Sequence, residues 1–321
     1  MKQLRLAVLL GLVLVGCART TAPASVVPTV EVRAPSSTPS PVPSVTPSAT
    51  LVPTASATST PLPTFTPTLA PTPTSVPPTS TPACVEKRGH IQVGAFFSAV
   101  IGQEQAYRVY LPPCYDFFSP YPVLYVLHGY PFDDSHWDEI GIDEAADAGI
   151  AAGTLPRFII AMPAADNEGT YTHTSGGAGS FEAVLMNEFI PFIEANYRVM
   201  GSAEGRAIGG MSRGGVWSLE IAFRNPDRFV AVGGHSAALN VNQAPLVYDP
   251  LFLAADPRIR SLRIYLDVGQ DDWVLPGMDD LHAALAAAGV VHDYYIFEGY
   301  HDDSYWSAHV AEYLAFYAAE W

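Results

Sequence analysis

The sequence predicts an α/β domain with a mostly parallel central sheet and helices on both faces, preceded by a secretion signal and a long spacer. Three observations predict it. Apolar runs of strand length recur eight times between residues 91 and 297, helical patterns alternate with the later ones, and a Gly-x-Ser-x-Gly turn falls where one strand gives way to a helix.

The chain of 321 residues divides by composition into three parts. Residues 1–17 open with Lys2 and Arg5, continue as an apolar run from Leu6 to Val15 and end in Gly16-Cys17. This reads as a secretion signal; the run is too short to span about 30 Å of hydrocarbon comfortably. Leu14-Val15-Gly16-Cys17 resembles a bacterial lipobox, which implies that Cys17 is acylated and becomes the mature N-terminus. The alternative is an ordinary cleaved signal.

Residues 18–83 hold 42 Pro, Thr or Ser among 66 positions, with Arg19, Glu31 and Arg33 as the only charges. Such a segment cannot bury enough apolar surface to offset its ordering entropy, and its prolines favour extended polyproline II. It is expected to act as a disordered stalk.

Residues 84–321 are enough for one sizeable core. They carry 12 Lys/Arg and 31 Asp/Glu, a net charge of −19. That surface disfavours nucleic acid and anionic lipid headgroups, and leaves the lipid anchor as the expected membrane contact. With Cys17 lipidated, Cys84 and Cys114 remain as an even pair in an oxidising compartment. A disulfide between them would close a loop of about 30 residues, worth about 3 kcal/mol in the chain-entropy model; two separate buried thiols are the alternative.

Strands are expected at 91–97, 106–112, 122–128, 157–162, 206–211, 229–234, 262–268 and 292–297, rich in Val, Ile and Tyr. Helices are expected at about 142–153, 180–197, 213–224, 278–289 and 303–319, the last opening on Asp302-Asp303. In a parallel sheet of this kind reactive groups collect at the carboxyl ends of the strands.

Gly210-Met211-Ser212-Arg213-Gly214 sits at such an end. The sharp turn strains the serine backbone, and the glycines remove side chains that would collide with strand and helix, so Ser212 is the candidate nucleophile. A serine hydroxyl needs a base, and the base an orienting carboxylate. His301 follows the last strand and precedes the final helix, the position expected of the base. His235 is its rival, but comes earlier in the chain than the usual order allows. The acid belongs in the loop after the 262–268 strand, where Asp272 is preferred to Asp271; Asp267 lies inside the strand. The oxyanion requires two backbone N–H donors: Arg213, next to the nucleophile, and a residue of His128-Gly129-Tyr130-Pro131. Pro131 has no N–H, which leaves Tyr130.

Arg108-Val-Tyr-Leu-Pro-Pro-Cys-Tyr-Asp, Val-Leu-Tyr-Val-Leu-His-Gly, Phe181-Glu through Tyr197-Arg and Gly-Met-Ser-Arg-Gly-Gly resemble the esterase D family of α/β-hydrolases over nearly all of 91–319. That family includes feruloyl and acetylxylan esterases, S-formylglutathione hydrolases, enterochelin esterases and the antigen 85 mycolyltransferases. The resemblance implies the α/β-hydrolase fold and hydrolysis of a glycan or small-molecule ester through a serine acyl-enzyme, without a cofactor. Asp272 matches the family's strand-end Gly-x-x-Asp and His301 its Gly-His before a helix, although Tyr300 stands where a second glycine is common. Acyl transfer to another alcohol, and ligand binding without catalysis, are the alternatives. Trp273 and Trp137 are candidate substrate contacts, with core packing the competing role for each. The segment 164–179 lacks a core pattern and is expected to cover the site. No His or Cys stands at metal-ligand spacing beside the paired aspartates.

Overall fold

The structure, a computed structural model, describes residues 85–117, 120–165, 168–173 and 175–321. The signal, the stalk, Cys17 and Cys84 lie outside the described residues.

Eight strands form one sheet: β1 (His90–Ser98), β2 (Gln103–Leu111), β3 (Val123–Leu127), β4 (Ile159–Pro163), β5 (Arg206–Met211), β6 (Ala231–His235), β7 (Arg263–Gly269) and β8 (Asp293–Phe297). Their order is β1-β2-β4-β3-β5-β6-β7-β8. β1 and β2 pair as an antiparallel hairpin, β2 runs antiparallel to β4, and every later pairing is parallel. The predicted strands and long helices thus occur within about three residues of their expected limits.

Burial of both faces explains the continuous apolar runs. In β3, Val123, Tyr125 and Leu127 face one core, and Leu124 and Val126 the other. The first core is closed by α4 (Phe181–Val184), a wider π turn at Leu185–Phe189, α5 (Ile190–Asn196), α6 (Arg213–Arg224) and α8 (Leu275–Ala287). The second is closed by α1 (His136–Glu139), α2 (Ile142–Ala152) and α9 (Asp303–Tyr317). Asp302 caps α9 by accepting from the Tyr305 N–H, as its position before the apolar run suggests. Three short helices, α1, α3 (Glu168–His173) and α7 (Pro250–Leu253), had no periodic signal because none completes two turns.

Cys114 is disulfide-bonded; Cys84, the partner expected for it, falls outside the described residues. No helix among the described residues is long and apolar enough to cross a membrane.

A buried polar network ties α9 to the sheet. The His235 Nδ1–H donates to Asp267 Oδ1 (2.7 Å), and Asp267 Oδ2 accepts from Tyr305 and Tyr313 hydroxyls (2.7 and 2.8 Å). Tyr317 donates to His235 Nε2 (2.8 Å). The Tyr317 phenol has room only because β5 and β6 carry glycine there: a Cβ at Gly209 or Gly233 would lie 1.7 or 1.9 Å from its oxygen.

Candidate active site

β5 runs straight into α6 through Ser212, whose backbone is held at φ 53°, ψ −119°. This conformation is costly for a residue with a Cβ, and the surroundings impose it. The Ser212 N–H donates to the His235 carbonyl (2.9 Å), and the Ser212 carbonyl accepts from Ala238 N–H (3.1 Å), so the end of β6 grips the turn from both sides. The flanking glycines are required by contact. A Cβ at Gly210 would sit 2.4 Å from the Gly214 backbone, and one at Gly214 would sit 2.2 Å from the Leu127 carbonyl at the end of β3.

The loops after β7 and β8 bring two further side chains to this point. His301 Nδ1 lies 2.9 Å from both carboxylate oxygens of Asp272, and its Nε2 lies 2.9 Å from Ser212 Oγ. With Nδ1 donating to the carboxylate, Nε2 is left as the acceptor of the serine proton. Asp272 is buried and also accepts from Val274 N–H (2.9 Å), which fixes its orientation, whereas Asp271 is exposed. Of the two candidate acids the structure brings Asp272 to the histidine. Gly299, at φ 144°, allows the loop to turn beneath Tyr305, and the Tyr300 side chain points to solvent, so the residue that departs from the common pattern leaves His301 in place.

Two cavities open at Ser212 and meet at Tyr130. One, about 300 Å³, is walled by Phe132, His301, Asp302, Asp303 and Trp306. The other, about 240 Å³, is walled by Arg213, Ala238, Val241, Asn242 and Trp273. Arg213, at the first turn of α6, directs its guanidinium over the Trp217 ring (4.9 Å to the centroid) and donates through Nε to the Tyr171 carbonyl (2.8 Å). Trp273 is half-exposed, with its ring centroid 5.0 Å from that of His301.

Two expectations are corrected. Trp137 does not reach either cavity: it is fully buried in the core, donates its indole N–H to the Leu127 carbonyl (3.0 Å) and packs edge-on against Tyr313. His235, disfavoured as the base on chain order, is indeed not at Ser212 Oγ but is satisfied within the buried network of Asp267 and Tyr317. The segment 164–179 is not devoid of core residues, because Tyr171 is buried and donates to the His128 carbonyl (2.5 Å); none of its described residues walls the two cavities. Conversely, Asn242, Phe132 and Trp306 wall the site without having been singled out. Asn242 lies in the connection after β6, and position beyond a strand's carboxyl end was the available signal.

One further ionisable group lies close by. Glu220, on α6, is fully buried, and neither carboxylate oxygen has a hydrogen-bond partner among the described residues. Burial, and then the nearby Glu182 charge, push its carboxyl up to about 8, with Arg213 and Arg224 opposing. Among the described residues, no group of three or more His, Cys, Asp or Glu is placed to hold a metal ion.

A family model described as "Putative esterase" matches residues 98–317. The chain is 34% identical over 150 residues to an endo-1,4-β-xylanase/feruloyl esterase of Xylanibacter ruminicola, covering 44% of this chain and 20% of that protein. It is 26% identical over 255 residues to an esterase of Mycobacterium tuberculosis, covering 64% of this chain and 54% of that protein. The chain thus spans about half, or less, of the length of these curated relatives. A solved ferulic acid esterase superposes with a TM-score of 0.66 at 27% identity, covering 73% of this chain and all of that one. With the family model matching well over half of its length, and an α/β-hydrolase sheet carrying the strand-end serine, the chain belongs to this esterase family.

Proposed function

We propose that the protein is a serine carboxylic-ester hydrolase acting through an acyl-enzyme, held outside the cytoplasm by a lipid on Cys17. The observation that carries the reading is the continuous hydrogen-bonded line from Ser212 Oγ through His301 to Asp272, at the junction of two open cavities.

His301 Nε2 takes the Ser212 proton as Oγ attacks the ester carbonyl, and Asp272 stabilises the resulting imidazolium. The carbonyl electrons move to an oxyanion received by the Arg213 and Tyr130 N–H groups. Collapse of the adduct expels the alcohol oxygen, which takes the proton from His301. A water molecule then repeats the sequence on the acyl-serine, releasing the acid and restoring Oγ–H. The substrate is an extracytoplasmic ester of the feruloyl-sugar, acetyl-sugar or siderophore kind; the feruloyl reading is supported by the names of the relatives reported above and by the half-exposed aromatics Tyr130 and Trp273 at the mouth.

A fluorophosphonate should label the wild-type protein and leave Ser212→Ala unlabelled, and hydrolysis of a short nitrophenyl ester should disappear with the label. Labelling of Ser212→Ala at the wild-type rate would refute the assignment.

A further inference from the structure

Ser212, Asp272 and His301 reach their places from three different strand ends, so the distances between them depend on what ties those ends together. A single buried carboxylate does this. Asp267 lies on β7, the strand that leads into the Asp272 loop, and its oxygens reach toward the other two residues.

Toward the nucleophile, Asp267 Oδ1 accepts from the His235 Nδ1–H (2.7 Å), and the Asp267 carbonyl accepts from the Ser236 N–H (2.8 Å). The His235 carbonyl in turn accepts from the Ser212 N–H (2.9 Å). The residue that grips the strained serine turn is thus itself held by its ring. Toward the base, Asp267 Oδ2 accepts from the Tyr305 hydroxyl (2.7 Å). The Tyr305 ring packs against Gly299, two residues before His301, where a Cβ would stand 2.6 Å from it. The Gly299 carbonyl accepts from the Asp271 N–H (3.1 Å), which joins the His301 loop to the loop that carries Asp272. Burial, and then the Asp267 charge, raise the Tyr305 phenol well above its ordinary value, so it stays a neutral donor.

Tyr313 supplies a contrast. Its hydroxyl donates to the same Oδ2 (2.8 Å), but from about two turns further along α9. Loss of either phenol takes one hydrogen bond from one buried oxygen, and only the loss of Tyr305 frees the segment that presents the base.

We infer that Asp267, acting through Tyr305, is a positioning residue that keeps the His301 loop in register with the Ser212 turn, which the same carboxylate fixes through His235. The inference rests on the esterase reading of Ser212 and adds to it residues that touch neither substrate nor reacting atoms. A misplacement of about 1 Å between nucleophile and base can cost about 100-fold in rate. It leaves the cavity walls, and with them substrate binding, in place.

The test compares Tyr305→Phe with Tyr313→Phe in the full chain, on one nitrophenyl ester, well below the Tm of each. Both should lower Tm by a similar amount, since each removes a hydrogen bond to the same carboxylate. Tyr305→Phe should lower kcat by about 10-fold, with KM within about 2-fold, and should slow fluorophosphonate labelling in proportion. Tyr313→Phe should keep kcat and labelling within about 2-fold of the wild type. Asp267→Asn, which keeps the size of the side chain but turns one acceptor into a donor, should lose at least as much kcat as Tyr305→Phe; if it does not fold, the tyrosine pair decides alone. Equal kcat losses in the two tyrosine variants, a loss that falls on KM instead, or a Tyr305→Phe as fast as the wild type overturns the inference. A wild type that neither hydrolyses the ester nor takes the fluorophosphonate overturns the esterase reading itself.

Discussion

Replacing Glu220 by glutamine should stabilise the protein at alkaline pH and barely affect it at pH 5. The carboxyl is fully buried, without a hydrogen-bond partner among the described residues, and titrates near pH 8 in the folded state for want of solvation and for repulsion by Glu182. In the unfolded chain the same group titrates at about 4.3. Between these values the folded state holds a proton that the unfolded state has released, so raising the pH favours unfolding. Glu220 therefore costs nothing below about pH 4, and its full cost is reached above about pH 8. At about 1.4 kcal/mol per pH unit the interval sets a ceiling of about 5 kcal/mol. Water entry and relaxation around the ionised group reduce this, and about 2 kcal/mol is expected at pH 9. For a domain of this size that corresponds to a Tm higher by about 4–8 °C in Glu220→Gln than in the wild type at pH 9. Thermal unfolding followed by circular dichroism at pH 5, 7 and 9 measures the difference. A Tm gap between the two proteins that does not widen with pH would refute the reasoning.

Other substitutions separate the roles of neighbouring residues. Asp272→Asn should lower kcat by about 10⁴-fold while Asp271→Asn stays within about 3-fold of the wild type, measured on one nitrophenyl ester. Gly209→Ala should destabilise the fold by about 3 kcal/mol or prevent soluble expression, because its methyl meets the Tyr317 hydroxyl; Gly209→Ala combined with Tyr317→Phe should recover part of the loss in a denaturant titration. Trp137→Ala should cost about 3–5 kcal/mol of stability, whereas Trp273→Ala should raise KM for esterase substrates several-fold with little change in Tm.

What could be read from the sequence was what depends on neighbours in the chain. The elbow at Ser212 requires glycine at 210 and 214 for contacts set by the turn itself, and the inner strands β3 to β7 announce themselves because both of their faces are buried. His301 is legible because its loop joins the last strand to the last helix. Asp271 and Asp272 could only be ranked: nothing local separates adjacent aspartates, and the difference is that one is buried and holds Val274 N–H. Trp137 and His235 were open for a related reason. Their partners, Leu127, Asp267 and Tyr317, stand between 10 and 82 residues away, and burial through such contacts leaves no periodic trace. Asn242 follows a short 3-10 turn, Leu239–Val241, whose sequence resembles any other loop.

Tyr130 stands between the cavities at Ser212, and under the proposed acyl-enzyme mechanism this division would bear on the fate of the acyl-serine. Once the first alcohol departs from the side that His301 walls, the acyl chain still fills its own side, and only the vacated side is open to the next nucleophile. That space, about 300 Å³, is several times what one water requires. A second alcohol can therefore enter where the first one left, in competition with water and under the same histidine. On that mechanism the balance between hydrolysis and transesterification would be set on the side of Phe132, Asp302, Asp303 and Trp306.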